Sequence, residues 1–432
     1  MSPARLIVFR KWGMVSRAKY IAFWCVLLLV SAGHVIGGQT EGADPITEDL
    51  RRIDPAEHIE FFAGHRSRFT GYPGCDESAE YIAEKFRQIG LTGVTQTPFQ
   101  TLVPAPPADL PWGDDGGQRH GGMLTVDDAQ IPLFCVMPNY AQLPMTSREG
   151  ISGPLVWGGA GHLSDFNGKD LMGSIVLMDF NSVSRWLNAA NFGARAIIFV
   201  EPAYPFRSDA EQKYSELPIP VPRYYLRRQD LPALAAAVSG GSPEGISVDS
   251  ALQSLGALGE SQNAEVSGNV KAQFRWEETT ASRISGEIPG TDPHLTDQTL
   301  VVFGYYDSVS VVPSLSPGAE GACGIASLLE IAEFLTKHPP RRKVKFIAAP
   351  GHYQALSGAR DYAQKVIYPR RTGADNKAGE GTGEPYFFVG LDLSSRHNSL
   401  GAFYKGHFYD QAGAAQEVEL QRAYSELSGI LM

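Results

Sequence analysis

Apolar and polar positions fall into two rhythms along this chain. Between Ile46 and Ala63, Leu50, Ile53, Ile59 and Phe62 recur at helical spacing, with a break expected near Pro55. A second helix is predicted from an N-cap at Asp76, with Ala79, Ile82, Ala83, Phe86 and Ile89 on one face and Gly90 as its stop. The connection His65–Cys75 is dense in turn residues, and Val94–Val103 alternates as a strand does. After a stretch rich in Pro, Gly and Asp (Pro104–Gly122) come short apolar strands at Gly153–Trp157, Gly173–Asp179, Ala194–Glu201 and Pro218–Tyr225. Helical stretches are predicted there at Ser184–Asn191 and Asp230–Val238.

From Val266 the rhythm changes. Strands at Val270–Trp276, Ser282–Glu287, Leu300–Tyr305, Lys343–Ala349 and Phe387–Leu391 enclose helices at Gly324–Leu335 and Ala355–Val366, and Ala414–Leu431 reads as a last helix. Strands alternating with helices predict an α/β fold: a mixed, mostly parallel sheet covered by helices on both faces. The short-strand region, residues 123–260, is expected to form a smaller β-rich insert. Residues 46–122 and 266–432 are expected to be the two parts of the main domain.

Length and charge narrow the function classes. At 432 residues, two domains are expected. A net charge of -10 without a basic patch excludes general affinity for nucleic acid or anionic membranes. Arg5, Arg10, Lys11, Arg17 and Lys19 precede the apolar run Tyr20–Val30, and Val30-Ser31-Ala32 offers small residues for cleavage. Residues 1–32 therefore read as a signal peptide or a single N-terminal anchor, and the run is shorter than the roughly 20 residues of a comfortable spanning helix. Either way the body is expected outside the cytoplasm: periplasmic, secreted or anchored. Once Cys25 leaves with the signal, Cys75, Cys135 and Cys323 remain and are expected to be buried small residues rather than a disulfide framework.

Four stretches carry a resemblance. They are S-R-F-T-G-Y-P-G (Ser67–Gly74) followed by a helix and I-G-L; R-I-S-G-E-I-P-G-T-D-P (Arg283–Pro293); L-V-V-F-G-Y-Y-D-S (Leu300–Ser308); and G-I-A-S-L-L-E-I-A (Gly324–Ala332) with F-I-A-A and A-L-S-G-A-R-D-Y (Phe346–Tyr362). In order and spacing the chain resembles the secreted co-catalytic zinc exopeptidases typified by bacterial aminopeptidases, glutamate carboxypeptidase and the transferrin receptor. G-P-L-V-W-G-G, D-L-M-G-S-I-V-L-M and A-A-N-F-G-A-R-A-I-I-F-V in the insert resemble the protease-associated domain that many members carry.

That resemblance implies two zinc ions held by His and carboxylate ligands, one carboxylate bridging, with a Glu as general base on metal-bound water. Most of these groups are replaced. Tyr305 stands where the family has the His of H-x-D-S, and Asp307 remains with its family role of orienting that ligand. Glu320 falls near the bridging carboxylate if the chain is aligned backwards from Gly324; aligned forwards, Gly321 and a deletion fall there. The family's E-E-x-G-L-x-G-S becomes H-Y-Q-A-L-S-G-A, so His352 occupies the position of the general base and Tyr353 that of the next ligand. Asp392 matches the later Asp ligand, while His397 and His407 come too early for the final His. Glu320 and Asp392 are thus vestigial metal candidates, and zinc is expected to be weak or absent.

Two classes of function follow. One is an extracytoplasmic metallo-exopeptidase, with activity impaired or carried by a reduced metal site. The other is a non-catalytic, receptor-like relative that binds peptides or a protein. A chain shortened at its end, which would have carried further ligands, is a third expectation.

Overall fold

The computed structural model describes residues 45–106, 120–137, 143–204, 209–210, 212–213, 219–260, 265–295, 297–308, 311–313, 315, 321–367 and 387–393. The N-terminal basic and apolar segment, Glu320, His397, His407 and the expected last helix lie outside these residues. Among the described residues no helix is long and apolar enough to cross a membrane.

The first rhythm yields α1 (Pro45–Arg52) and α2 (Ala56–Gly64), separated at Pro55 as predicted. The next helix, α3 (Pro73–Gln88), begins three residues before the expected cap. Pro73 opens it, because proline lacks the N–H that a first helical turn leaves unbonded, and Asp76 instead sits in the first turn. Ala79, Ile82, Ala83 and Phe86 form its buried face.

β1 (Thr92–Ala105) pairs antiparallel with β9 (Arg275–Ile288) over almost its whole length. The main sheet runs β1-β9-β11-β10-β12, with β10 (Thr299–Tyr305), β11 (Lys343–Ala349) and β12 (Phe387–Leu391). β9 meets β11 antiparallel, whereas β10 is parallel to both β11 and β12. The sheet is therefore mixed, with only its β11-β10-β12 side parallel.

Alternate residues of β10 face opposite layers, as the two-residue period of a strand requires. Leu300 and Val302 join the layer of α3 and α7 (Cys323–Lys337), where Ile325, Leu328, Leu329, Ile331, Ala332 and Leu335 are buried. Val301 and Phe303 join the opposite layer, with Ile347, Ala349 and Tyr362 of α8 (Ser357–Tyr362). Fully burying one such aliphatic or aromatic side chain stabilises by about 1.5–3 kcal/mol, so α7 is the principal anchor of the sheet.

Between β1 and β9 the chain builds a closed barrel in the order β2-β3-β7-β6-β5-β4-β8. Its strands are β2 (Gly121–Val126), β3 (Ala129–Cys135), β4 (Ile151–Trp157), β5 (Ile175–Asp179), β6 (Ala196–Val200), β7 (Arg223–Leu226) and β8 (Ser267–Ala272). β6 is buried at every residue because both its faces are covered. Ala196, Ile198 and Val200 face the layer of α5 (Leu231–Ser239) and α6 (Val248–Leu255). Ile197 and Phe199 face Trp186 of α4 (Trp186–Asn191) and Val311 and Val312, which follow β10.

The apolar run read as one strand, Val270–Trp276, is split at Gln273 and Phe274. Its first half, β8, closes the barrel against β2, and its second half opens β9. The segment after β10 joins the two sheets: Val311 accepts a hydrogen bond from the Met137 backbone at 2.7 Å, and Pro313 accepts one from the Ser67 hydroxyl.

Candidate functional site

The parallel register sets Tyr305, the last residue of β10, beside Ala349, the last of β11. The chain then leaves both strands at the same end of the sheet, where open α/β folds place their chemistry. Tyr306 donates its backbone N–H to Ala349 at 3.2 Å, and so holds the two exits together.

Asp307 is the hub of this end. Its side chain is buried, and Oδ2 accepts hydrogen bonds from the Gly351 N–H (2.9 Å), the His352 N–H (3.0 Å) and the Thr70 hydroxyl (3.0 Å). The Gly351 N–H also reaches Thr70 Oγ1 at 3.0 Å. Burial pushes the Asp307 carboxyl above its ordinary range, opposed by the charge of His352 and by these hydrogen bonds. Asp307 therefore clamps the loop after β11 and ties it to the Ser67–Gly74 segment. Its Oδ1 is buried and unpartnered.

The two replaced positions meet. The Tyr305 and His352 rings are stacked, with centroids 4.3 Å apart and planes 14° apart. Tyr353 lies against Phe69 (6.1 Å), and the His352 and Tyr353 rings are 6.4 Å apart. Burial raises the Tyr305 phenol well above its ordinary pKa, so at neutral pH it is no anionic ligand. Asp392 follows β12 and is exposed.

Arg68 received no role from the sequence, although it lies within one of the quoted motifs. Its side chain is fully buried, Nε donates to Tyr306 O at 3.2 Å, Nη1 donates to Phe62 O, and Nη2 is unpartnered. A Cβ on Gly321 would lie 3.5 Å from that Nη2. Burial lowers the guanidinium pKa to about 10, against the pull of Asp307, so it remains a cation at neutral pH. No distinct signal in the sequence marks it: in H-R-S-R-F-T-G-Y-P-G-C, Arg68 stands among polar turn residues two positions after Arg66.

The three cysteines behave as expected. Cys75, Cys135 and Cys323 are buried and in no disulfide, and burial raises the Cys75 and Cys135 thiols well above their ordinary pKa.

Comparison with known proteins bears on this same end of the sheet. Residues 283–429 match the model of peptidase family M28. The likeness to the M28 peptidases rests on this segment, about a third of the chain. The match takes in β10, β11, the clamp residue Asp307, both stacked rings and Asp392. Among solved structures, an aminopeptidase from an Aneurinibacillus species is 21% identical, covering 73% of this chain and 67% of that one, with a TM-score of 0.36. A zinc aminopeptidase from Bacillus subtilis is 19% identical over 72% and 64% of the two chains (TM-score 0.43). An M28 peptidase precursor from Shewanella amazonensis is 14% identical over 82% and 73% (TM-score 0.43). No curated protein matches.

A zinc pair asks for several His and carboxylate groups converging on each ion. Among the described residues no three His, Cys, Asp or Glu side chains are so grouped. Asp307 spends one oxygen on three donors and leaves only Oδ1 unpartnered, and the Tyr305 and His352 rings stack on each other at this end of the sheet. The buried Arg68 cation near Asp307 and Gly321 further disfavours a divalent ion. The described residues do not fit a two-zinc centre.

Proposed function

We propose that this chain is a zinc-aminopeptidase-like protein that retains the M28 scaffold without the two-zinc hydrolytic reaction. The observation that supports this most is the Tyr305–His352 stack, which joins two altered motif positions into one aromatic pair. In this reading His352 stands in the general base's place without acting on a metal-bound water. Glu320 and Asp392 are remnants of the ligand set, and Asp307 serves the loop rather than a metal ligand. Zinc, when offered, binds weakly and below stoichiometry.

The barrel between β1 and β9 is read as a protease-associated-like insert that serves as an interaction surface. Its motifs and its seven strands between the two parts of the main sheet support that assignment. The basic and apolar N-terminal segment supports an extracytoplasmic location, with the segment either cleaved or kept as an anchor.

A binding function follows: the scaffold recognises a peptide or protein without cutting it. The test is end-trimming of unblocked peptides by the purified chain with zinc supplied, followed by mass spectrometry. Intact peptides after prolonged incubation are expected. Stepwise loss of terminal residues that a chelator stops would overturn the reading.

A further inference from the structure

The barrel buries two cations that play no part in the Tyr305–His352 stack. Arg223 opens β7 and is fully buried, its guanidinium 4.1 Å from the centre of the Trp186 ring. Lys213 is fully buried as well, and its backbone carbonyl accepts a hydrogen bond from Arg223 Nη1 at 2.8 Å. The Lys213 ammonium donates to the Val183 carbonyl at 2.7 Å and lies over the Phe180 and Phe199 rings, 5.2 and 5.1 Å from their centres. Carbonyls and ring faces solvate part of a cation, but none of them carries a full negative charge.

The unmet demand is at Arg223. Its Nε and Nη2 are buried and have no hydrogen-bond partner. These two nitrogens form one edge of the planar guanidinium, so their N–H bonds run side by side toward the same place. Burial lowers the Arg223 pKa to about 9 with no carboxylate opposing it, and the group remains a cation at neutral pH. Lys213 is lowered to about 7 by burial and by the charges of Arg185 and Arg223, with Asp209 pulling the other way, and it can shed its proton. Arginine has no such exit. A buried guanidinium with two unmade hydrogen bonds is a costly group for a fold to hold. An anion on that edge removes both deficits, since it accepts from both nitrogens and cancels the charge. Because these atoms are closed to solvent, a single-atom anion suits them better than a carboxylate or phosphate, whose further oxygens would need partners of their own.

We infer that the insert carries a structural anion site, in which a halide sits on the Nε–Nη2 edge of Arg223 and Lys213 is the second cation of the pocket. Chloride is the natural occupant. The site is independent of zinc and of peptide cleavage, because the fold uses the ion's charge and not a reaction.

The test uses the full chain. Its crystals are soaked in sodium bromide and anomalous diffraction is recorded at the bromine edge. A bromide peak within hydrogen-bonding distance of Arg223 Nε and Nη2 is expected. In parallel, thermal melting is compared in sodium chloride and sodium gluconate at equal ionic strength. The midpoint is expected to rise saturably with chloride, by about 2 °C or more. Arg223→Met keeps much of the side chain's bulk against Trp186 and is expected to melt alike in both salts. Bromide peaks only elsewhere on the molecule overturn the inference. Equal midpoints of the parent in the two salts overturn it too, as does a chloride effect that survives in Arg223→Met. Should that variant fail to fold, the bromide position and the parent's salt comparison still decide.

Discussion

Tyr305 and His352 lie ring on ring, 4.3 Å apart, at the adjoining exits of two parallel strands. Each alone is a substituted position in a family motif. Together they form a packed pair, and an offset or parallel aromatic contact contributes about 0.5–1.5 kcal/mol beyond the area it buries. The ring pair is thus built into the fold, with Asp307 holding the backbone on which His352 rides.

Removing that hold has a defined cost. Asp307→Ala strips the acceptor from the partly buried His352 N–H and from the Thr70 hydroxyl, and leaves the buried Gly351 N–H with Thr70 Oγ1 alone. Unmade buried hydrogen bonds cost about 1–3 kcal/mol each, partly relieved by relaxation, so a loss of about 3 kcal/mol is expected in urea denaturation. A loss below about 1 kcal/mol would show that the clamp is dispensable.

Ala355 has φ of 52° and stands at the glycine position of the E-E-x-G-L-x-G-S motif. A side chain in the left-handed region is strained by about 1–2 kcal/mol, and glycine's larger unfolded-state entropy takes back part of the relief. Ala355→Gly should therefore raise stability by about 0.5–1 kcal/mol, read as a higher thermal midpoint. A lowered midpoint would contradict this.

Gly321 offers a complementary gain. Its missing side chain would point at the unpartnered Nη2 of Arg68, 3.5 Å from the Cβ position. Gly321→Asp is expected to supply a charge-assisted acceptor and to stabilise by about 1–2 kcal/mol after the carboxylate's own desolvation. Gly321→Asn should give less, and Gly321→Leu nothing. Equal effects of all three would refute a specific Arg68 contact.

A further prediction concerns pH. Glu330 on α7 lies 3.5 Å from His58, yet its carboxyl is pushed up to about 7 and the His58 ring is lowered, the reverse of what an ion pair produces. Burial outweighs attraction at both groups, so the contact is between neutral partners at mildly acidic pH. Because the folded-state value of Glu330 lies above its ordinary 4.5, its contribution is fully present at low pH and is lost as pH rises through about 7. His58, lowered, has the opposite slope below its ordinary 6.5. Glu330→Gln removes the carboxylate's part, so the variant should match the parent near pH 5 and exceed it by about 1 kcal/mol at pH 8. A constant offset at both pH values would contradict this.

Periodicity made much of this legible. The break at Pro55, the apolar face of α3, and the strands β10 and β11 with α7 between them stand close to where the pattern placed them, because each buries a regular stripe. Local pattern failed where tertiary pairing decides. Nothing in V-K-A-Q-F-R-W says that Gln273 and Phe274 separate two sheets, and the Gly-Gly start of β2 reads as loop until the barrel supplies β3 and β8 as partners. The altered ligand positions were visible as letters, but the Tyr305–His352 stack and the Arg68 approach to Gly321 required segments distant in sequence to be brought together.

The central claim is tested most directly by counting zinc. The purified full-length chain, dialysed against micromolar zinc and then metal-free buffer, is measured by inductively coupled plasma mass spectrometry. Less than one zinc ion per chain is expected, because the described donors do not converge. About two tightly held ions per chain would contradict the account and place a working co-catalytic pair in this fold.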